Sequence, residues 1–211
     1  MDKDKLTFRL QHYEQQCFQL IDNERDYFSS AVLIPLIEEA GKWSIAFEVR
    51  SRDLNWQPGE ICLPGGKVEK DDISSAMTAV RETCEELGIQ EKQIEVLGSL
   101  KCVVSPLGVI ICPHVGIVRD FSKISPNPKE VSEVFTVPVE HFFNEKPRRA
   151  KMEVATRPGD NFPFELVSPQ FNRDWRKRSA YSVLFYTYND YVIWGLTARV
   201  ILSFVRMYCQ K

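Results

Sequence analysis

The sequence predicts an α/β fold: a mixed β-sheet flanked by helices, with an additional helix at each end of the chain. Three observations predict it. Apolar, β-branched runs recur over residues 31–37, 43–49, 94–104, 109–118 and 131–137, separated by turn-forming residues. A helix-period segment ending at Leu87 interrupts them and carries an acidic cluster. Apolar positions at three- and four-residue intervals, or in a continuous run, mark helices near both ends.

Taken in order, Leu6, Leu10, Tyr13, Cys17 and Leu20 predict an amphipathic N-terminal helix, so residues 1–27 read as an extension outside the catalytic core. Residues 31–37 and 43–49 flank Glu38-Glu39-Ala40-Gly41-Lys42, which predicts a hairpin. Pro35 lacks an N–H and predicts an edge or a bulge there. Leu63-Pro64-Gly65-Gly66-Lys67 follows, and its paired glycines permit backbone conformations closed to other residues and close approach to main-chain carbonyls. Asp72 or Ser74 caps the next helix, and Gly88 ends it in the left-handed conformation. On that helix Ile73, Ala76, Met77, Val80, Thr83, Cys84 and Leu87 are expected to form the apolar stripe, with Glu82, Glu85 and Glu86 on the opposite face. Three carboxylates so placed suit a divalent metal.

Residues 94–104 and 109–118 predict a strand pair around Ser105-Pro106-Leu107-Gly108, and 131–137 a further strand. Residues 147–190 form a long, basic, proline-bearing excursion, read either as a substrate-binding lid or as a surface loop, in which 181–188 alternate like a strand. Tyr191 is expected to begin the final apolar helix. The chain shows no repeat and reads as one domain over residues 1–211, with a core at 28–206.

The composition agrees with one compact enzyme domain: 211 residues, 44% apolar. A formal charge of −2 gives no overall attraction to nucleic acid or acidic membranes, although Arg173-Asp174-Trp175-Arg176-Lys177-Arg178 is locally basic. With no long apolar run and no signal pattern, the expected location is the cytoplasm. Cys17, Cys62, Cys84, Cys102, Cys112 and Cys209 lack CxxC spacing and read as reduced thiols. His12, His114 and His141 are scattered, which argues against zinc. Apolar helices at both ends permit a homodimer.

The glycine loop followed by Arg81-Glu82-Thr83-Cys84-Glu85-Glu86-Leu87-Gly88-Ile89 closely resembles the Nudix box, G-x5-E-x7-R-E-U-x-E-E-x-G-U, with U aliphatic. Here Gly66 and Arg81 stand one residue further apart than in that pattern, and Asp72 replaces the first glutamate. The longer loop, and the run Arg50-Ser51-Arg52-Asp53-Leu54-Asn55-Trp56-Gln57-Pro58-Gly59-Glu60-Ile61-Cys62-Leu63-Pro64-Gly65-Gly66, resemble the coenzyme A pyrophosphatase-like branch. Asn55 and Gln57 replace that branch's usual Arg and His. Pro126-Asn127-Pro128-Lys129-Glu130-Val131 and Ile193-Trp194-Gly195-Leu196-Thr197-Ala198 are similar to further segments of it.

The resemblance implies an α/β/α Nudix sandwich and a hydrolase acting on a small nucleoside diphosphate substrate, coenzyme A or a derivative, to give 3′,5′-ADP and 4′-phosphopantetheine. It implies Mg²⁺ or Mn²⁺ held by Glu82, Glu85, Glu86 and the Gly66 carbonyl, with Arg81 orienting a glutamate. The general base stays open between a box glutamate and a distant acid, with Glu130 leading and Glu133 behind it. Arg50 and Lys67 are candidates for phosphate contacts. Two other readings remain: hydrolysis of an ADP-sugar, dinucleotide or nucleoside triphosphate, and a nucleotide sensor without catalysis.

Overall fold

The computed structural model describes residues 1–15 and 27–209. After α1 (Lys3–Gln15), β1 (Phe28–Glu39) and β2 (Lys42–Arg50) form the expected hairpin, with Ala40 and Gly41 at positive φ in its turn. The two strands pair only near that turn, from Leu36 opposite Ile45 to Glu39 opposite Lys42, and then part. Two short strands fill the opening: β3 (Ile61–Cys62) pairs with β2, and β4 (Gly65–Lys67) pairs with β1. Between them the Pro64 carbonyl accepts the Leu33 N–H at 2.9 Å. The glycine loop is thereby stitched to both central strands.

Next come α2 (Ser75–Leu87), β5 (Ile94–Ser99), β6 (Val103–Ser105), β7 (Val109–Val118), β8 (Val131–Pro138) and α3 (Val139–Asn144). The main sheet runs β3-β2-β1-β7-β5, with β4 on β1, β6 on β7 and β8 on β2. Its β1–β7 pair is parallel and the rest antiparallel, which makes the sheet mixed. Pro35 sits in mid-strand on central β1, not at an edge or bulge as expected. Its ladder to β7 continues past it without a register shift, Pro35 opposite Gly116. By the two-residue alternation from Leu33, its missing donor falls on the other side, where β1 changes partner from β4 to β2.

β1 is apolar at successive positions because both of its faces are covered. Ala31, Leu33 and Ile37 pack with Ala46 and with Ala79 and Leu87 of α2. Ile34 and Leu36 face a larger cluster with Ile45, Phe47, Val137, Phe142 and the C-terminal helix. Each fully buried Leu, Ile or Phe contributes on the order of 2 kcal/mol. Helices on both faces of a mixed sheet give the expected α/β/α sandwich.

The α2 surface differs from the expected one. Its buried residues are Thr78, Ala79, Thr83, Glu86 and Leu87. Ile73 is 92% exposed and precedes the helix, and Met77 is 45% exposed. The helix rests on Ala31, Leu33 and Ile37 of β1 and Ala46 of β2 and turns Glu86 toward the glycine loop, which supplies a hydrogen bond there, so Glu86 is buried and not solvated. Its ends are as expected: Ser74 Oγ accepts the Met77 N–H at 3.2 Å, and Gly88 has φ 63°.

The segment beyond α3 is a second, three-stranded antiparallel sheet of β9 (Arg148–Thr156), β10 (Arg176–Tyr188) and β11 (Tyr191–Trp194), ordered β11-β10-β9. The anticipated strand at 181–188 is the inner half of β10. Tyr191 opens β11 and does not start the helix, because its segment ladders onto β10 with Ile193 inward; α4 begins at Gly195, φ 65° (Gly195–Cys209). Buried Leu6 and Leu10 place α1 against the core, and the Asp2 N–H donates to Tyr208 Oη at 3.0 Å. The apolar sides of the two terminal helices therefore meet within the chain. Cys17 and Leu20 lie outside the described residues. Among the described helices none is long and apolar enough to cross a membrane.

His114 on β7 fastens the sheet to the start of α2. It is 4% exposed, with Nδ1 3.0 Å from Ser99 Oγ and Nε2 3.0 Å from Ser75 Oγ. A neutral ring satisfies both hydroxyls, donating at one nitrogen and accepting at the other. Burial pushes its pKa down to about 4. A folded pKa below the unfolded value means that this contribution is complete above about pH 6.5 and is lost as pH falls toward 4. Urea midpoints at pH 7, 5.5 and 4.5 should show the native chain losing up to about 3 kcal/mol more than His114→Gln over that window.

Candidate active site

The loop and helix touch at backbone distance. The Gly65 N–H donates to Glu86 Oε2 at 2.8 Å. A Cβ on Gly66 would stand 2.3 Å from the Glu82 carboxyl carbon, and one on Gly65 would stand 2.3 Å from the Ala31 carbonyl oxygen. Only glycine allows this approach at either position.

Arg81 organises the other side. Its Nε and Nη2 donate to the two oxygens of Asp72 at 3.3 and 3.1 Å, its Nη1 reaches Glu82 at 2.9 Å and Glu85 at 3.5 Å, and Nη2 also meets the Lys67 carbonyl at 3.4 Å. Asp72 further accepts Thr78 Oγ1 at 2.8 Å and the Glu69 N–H at 2.9 Å. The Arg81 guanidinium first, and those two donors after it, hold the Asp72 carboxyl well below the usual carboxylate range. Asp72 thus anchors Arg81, while the cap is Ser74.

The loop before β8 docks on the end of α2. Ser125 and Asn127 N–H groups donate to the Leu87 and Glu86 carbonyls, each at 2.9 Å, and the Glu130 carbonyl accepts the Ser51 N–H at 2.8 Å. Left-handed Gly88 makes room, since a Cβ there would lie 2.0 Å from the Ser125 carbonyl oxygen. This brings Glu130 close enough for its charge to raise Glu82, Glu86 and Glu48. Glu133 is instead engaged by the Tyr191 hydroxyl, whose ring stacks on Phe135 at 3.7 Å.

Arg50 donates Nε and Nη2 to the Trp56 carbonyl, both at 3.3 Å, so it braces residues 51–59. Lys67 is exposed, its Nζ 5.9 Å from the centre of the Phe28 ring. Sequence reasoning missed Glu48. It lies on β2, 1% exposed, with Oε1 accepting Cys62 Sγ at 3.2 Å and Oε2 without a donor. A single carboxylate inside the apolar run Ile45-Ala46-Phe47-Glu48-Val49 was the available signal.

Burial pushes the Glu86 and Glu48 carboxyls up, with the Glu48 charge adding to it at Glu86 and the Cys62 thiol and the Arg50 charge offsetting part of it at Glu48; Glu82, half-buried, rises mainly through burial. Among the described residues no three acidic, Cys or His side chains converge as they stand on one ion position. Arg81 draws Glu82 and Glu85 toward itself, and Glu86 is tied to Gly65. The donor set nonetheless suits a hard divalent cation: oxygen ligands throughout, a carbonyl at Gly66, and a buried carboxylate oxygen without a donor at Glu48.

The NUDIX domain family matches residues 28–157, which include this loop, helix and docked segment. The chain belongs to the Nudix hydrolase superfamily. It is 34% identical over 180 residues to Nudix hydrolase 15, mitochondrial, of Arabidopsis thaliana, covering 82% of this chain and 56% of that protein. It is 37% identical over 143 residues to the peroxisomal coenzyme A diphosphatase NUDT7 of Mus musculus, covering 66% of this chain and 60% of that one. It is 31% identical over 183 residues to the Nudix hydrolase NudL of Photorhabdus laumondii, covering 87% and 84%. The match thus spans little more than half the length of the plant and mouse relatives.

In this Nudix chain the Gly66 contact is open to test. Gly66→Ala should push the Glu82 carboxylate aside and weaken Mn²⁺ binding by roughly tenfold or more, the order expected when ligand geometry is lost. The exposed Gly159→Ala should bind as the native chain does, and circular dichroism should find both folded.

Proposed function

We propose that this chain is a metal-dependent hydrolase that cleaves the diphosphate of coenzyme A or a close derivative, releasing 3′,5′-ADP and 4′-phosphopantetheine. The observation that carries the hydrolase reading is the joint between the Gly65–Gly66 backbone and the Glu82 and Glu86 carboxylates. The substrate reading is supported by the run from Arg50 to Gly66 and by the similarity to the mouse coenzyme A diphosphatase. A cytoplasmic setting agrees with the free thiols among the described residues.

Glu82, Glu85, Glu86 and the Gly66 carbonyl would hold Mg²⁺ or Mn²⁺, which shields diphosphate oxygens and lowers the pKa of a bound water. The chain's own residues supply position and proton transfer. Arg81, fixed by Asp72, sets the direction of Glu82. The Gly65 N–H sets that of Glu86. Glu130 takes the proton of the attacking water in this reading, from a loop held on the last turn of α2. Exposed Lys67 offers its ammonium to the substrate's phosphates, and Arg50 keeps the 51–59 loop in place beside them.

A panel of coenzyme A, acyl derivatives, ADP-ribose, dinucleotides and nucleoside triphosphates, with Mg²⁺ or Mn²⁺ and product masses as the readout, should give the highest kcat/KM for coenzyme A or its derivatives. Turnover of the others with coenzyme A left intact would assign a different diphosphate substrate.

For the base, Glu130→Gln should lower kcat by about 10²-fold or more while KM and Mn²⁺ affinity change little, since the lost interaction belongs to the transition state. Retained activity in Glu130→Gln, with the large loss appearing instead in Glu82→Gln, would move the base to the helix.

A further inference from the structure

Glu48 poses a charge problem that the residues around it leave unsolved. It is buried on β2, and the thiol of Cys62, across the β2–β3 pair, occupies Oε1 and leaves Oε2 without a donor. The Glu86 carboxyl lies within hydrogen-bonding reach of it, and the two can bond directly only while one of them holds a proton; once both are ionised they offer only acceptor oxygens. Glu82 and Glu130 add their negative charge at Glu86. Neither nearby cation donates a hydrogen bond to it: Arg81 donates to Asp72, Glu82 and Glu85, and Arg50, whose charge offsets part of the burial cost at Glu48, has two of its nitrogens on the Trp56 carbonyl. Two buried carboxyls facing each other need either a shared proton or a metal cation between them.

We infer that Glu48 is an additional carboxylate of the metal centre, binding the same divalent cation as Glu86. The inference rests on the metal-dependent reading above. Cys62 is then a positioning residue, since its bond fixes Oε1 and leaves Oε2 free for the ion. The site draws oxygen ligands from three elements: the α2 carboxylates, the Gly66 carbonyl of β4, and β2.

The test is Mn²⁺ binding to the metal-free protein, followed by electron paramagnetic resonance of free Mn²⁺, with thermal melts run with and without the ion. Glu48→Gln keeps the shape and drops the charge; Glu48→Val removes both oxygens and suits a strand. Either variant, once folded, should bind Mn²⁺ roughly tenfold or more weakly, because fewer charged ligands lower affinity for a hard cation. The metal-free melting temperature should rise as the buried repulsion is relieved, and the gain on adding Mn²⁺ should shrink. A side chain needed only for packing would act the other way, lowering the metal-free melting temperature and leaving the Mn²⁺ gain intact. That result, or a Kd within twofold of the native value, overturns the inference alone. No binding by the native chain, or unchanged binding in Glu85→Gln, overturns the metal-dependent reading and this inference with it.

Discussion

The 2.8 Å hydrogen bond from the Gly65 N–H to Glu86 joins the sheet to the helix, and the rest of the site is arranged around that joint. It needs β1 and β2 to part after their hairpin, so that β3 and β4 can run into the gap. It needs glycine at position 65, where a methyl group would collide with the Ala31 carbonyl, while Gly66 beside it leaves the Glu82 carboxylate its place. It also needs α2 to turn its acidic side inward. Given those conditions, the Ser125–Val131 loop can close over the end of the helix and deliver Glu130 to the same place.

Much of this was legible in the sequence, for local reasons. Ser74 and Gly88 mark the ends of α2 through hydrogen-bonding and conformational preferences that hold without tertiary contacts. The hairpin at Ala40-Gly41 and the β7 and β8 runs are likewise set by turn chemistry and burial. What the sequence hid depends on neighbours. The helical rotation of α2 could not be read from apolar spacing, because the helix buries Glu86 against a hydrogen-bond donor on another element. Pro35 suggested an edge, since no local rule reveals that a central strand changes partners beside it. The β11 segment passes for the start of a helix until its ladder with β10 is seen. Glu48 went unread because strand alternation marks it as inward-facing without saying what it would face.

The charges at the site are sorted by element. Arg81 neutralises the outer acids Asp72, Glu82 and Glu85, of which Glu85 has a side chain 55% exposed. The inner pair, Glu48 and Glu86, receives only neutral donors, a thiol and a main-chain N–H. Buried like charges weaken the fold, and a cation held between them would offset that cost.

The turn between Lys67 and Ser74 is pinned at both ends. The Val68 N–H bonds the Ser29 carbonyl at one end, and Asp72 grips Arg81 and Thr78 at the other. Between these anchors the chain runs over the surface, where length is cheap to vary. The five-residue spacing from Gly66 to Asp72 is that of the pattern, and the extra residue falls between Asp72 and Arg81, so an aspartate, one methylene shorter than a glutamate, holds an arginine one residue further along the chain. Spacer length and side-chain reach are therefore interchangeable at this joint, and what selection has to preserve is the grip on the guanidinium, not the count of residues that leads to it.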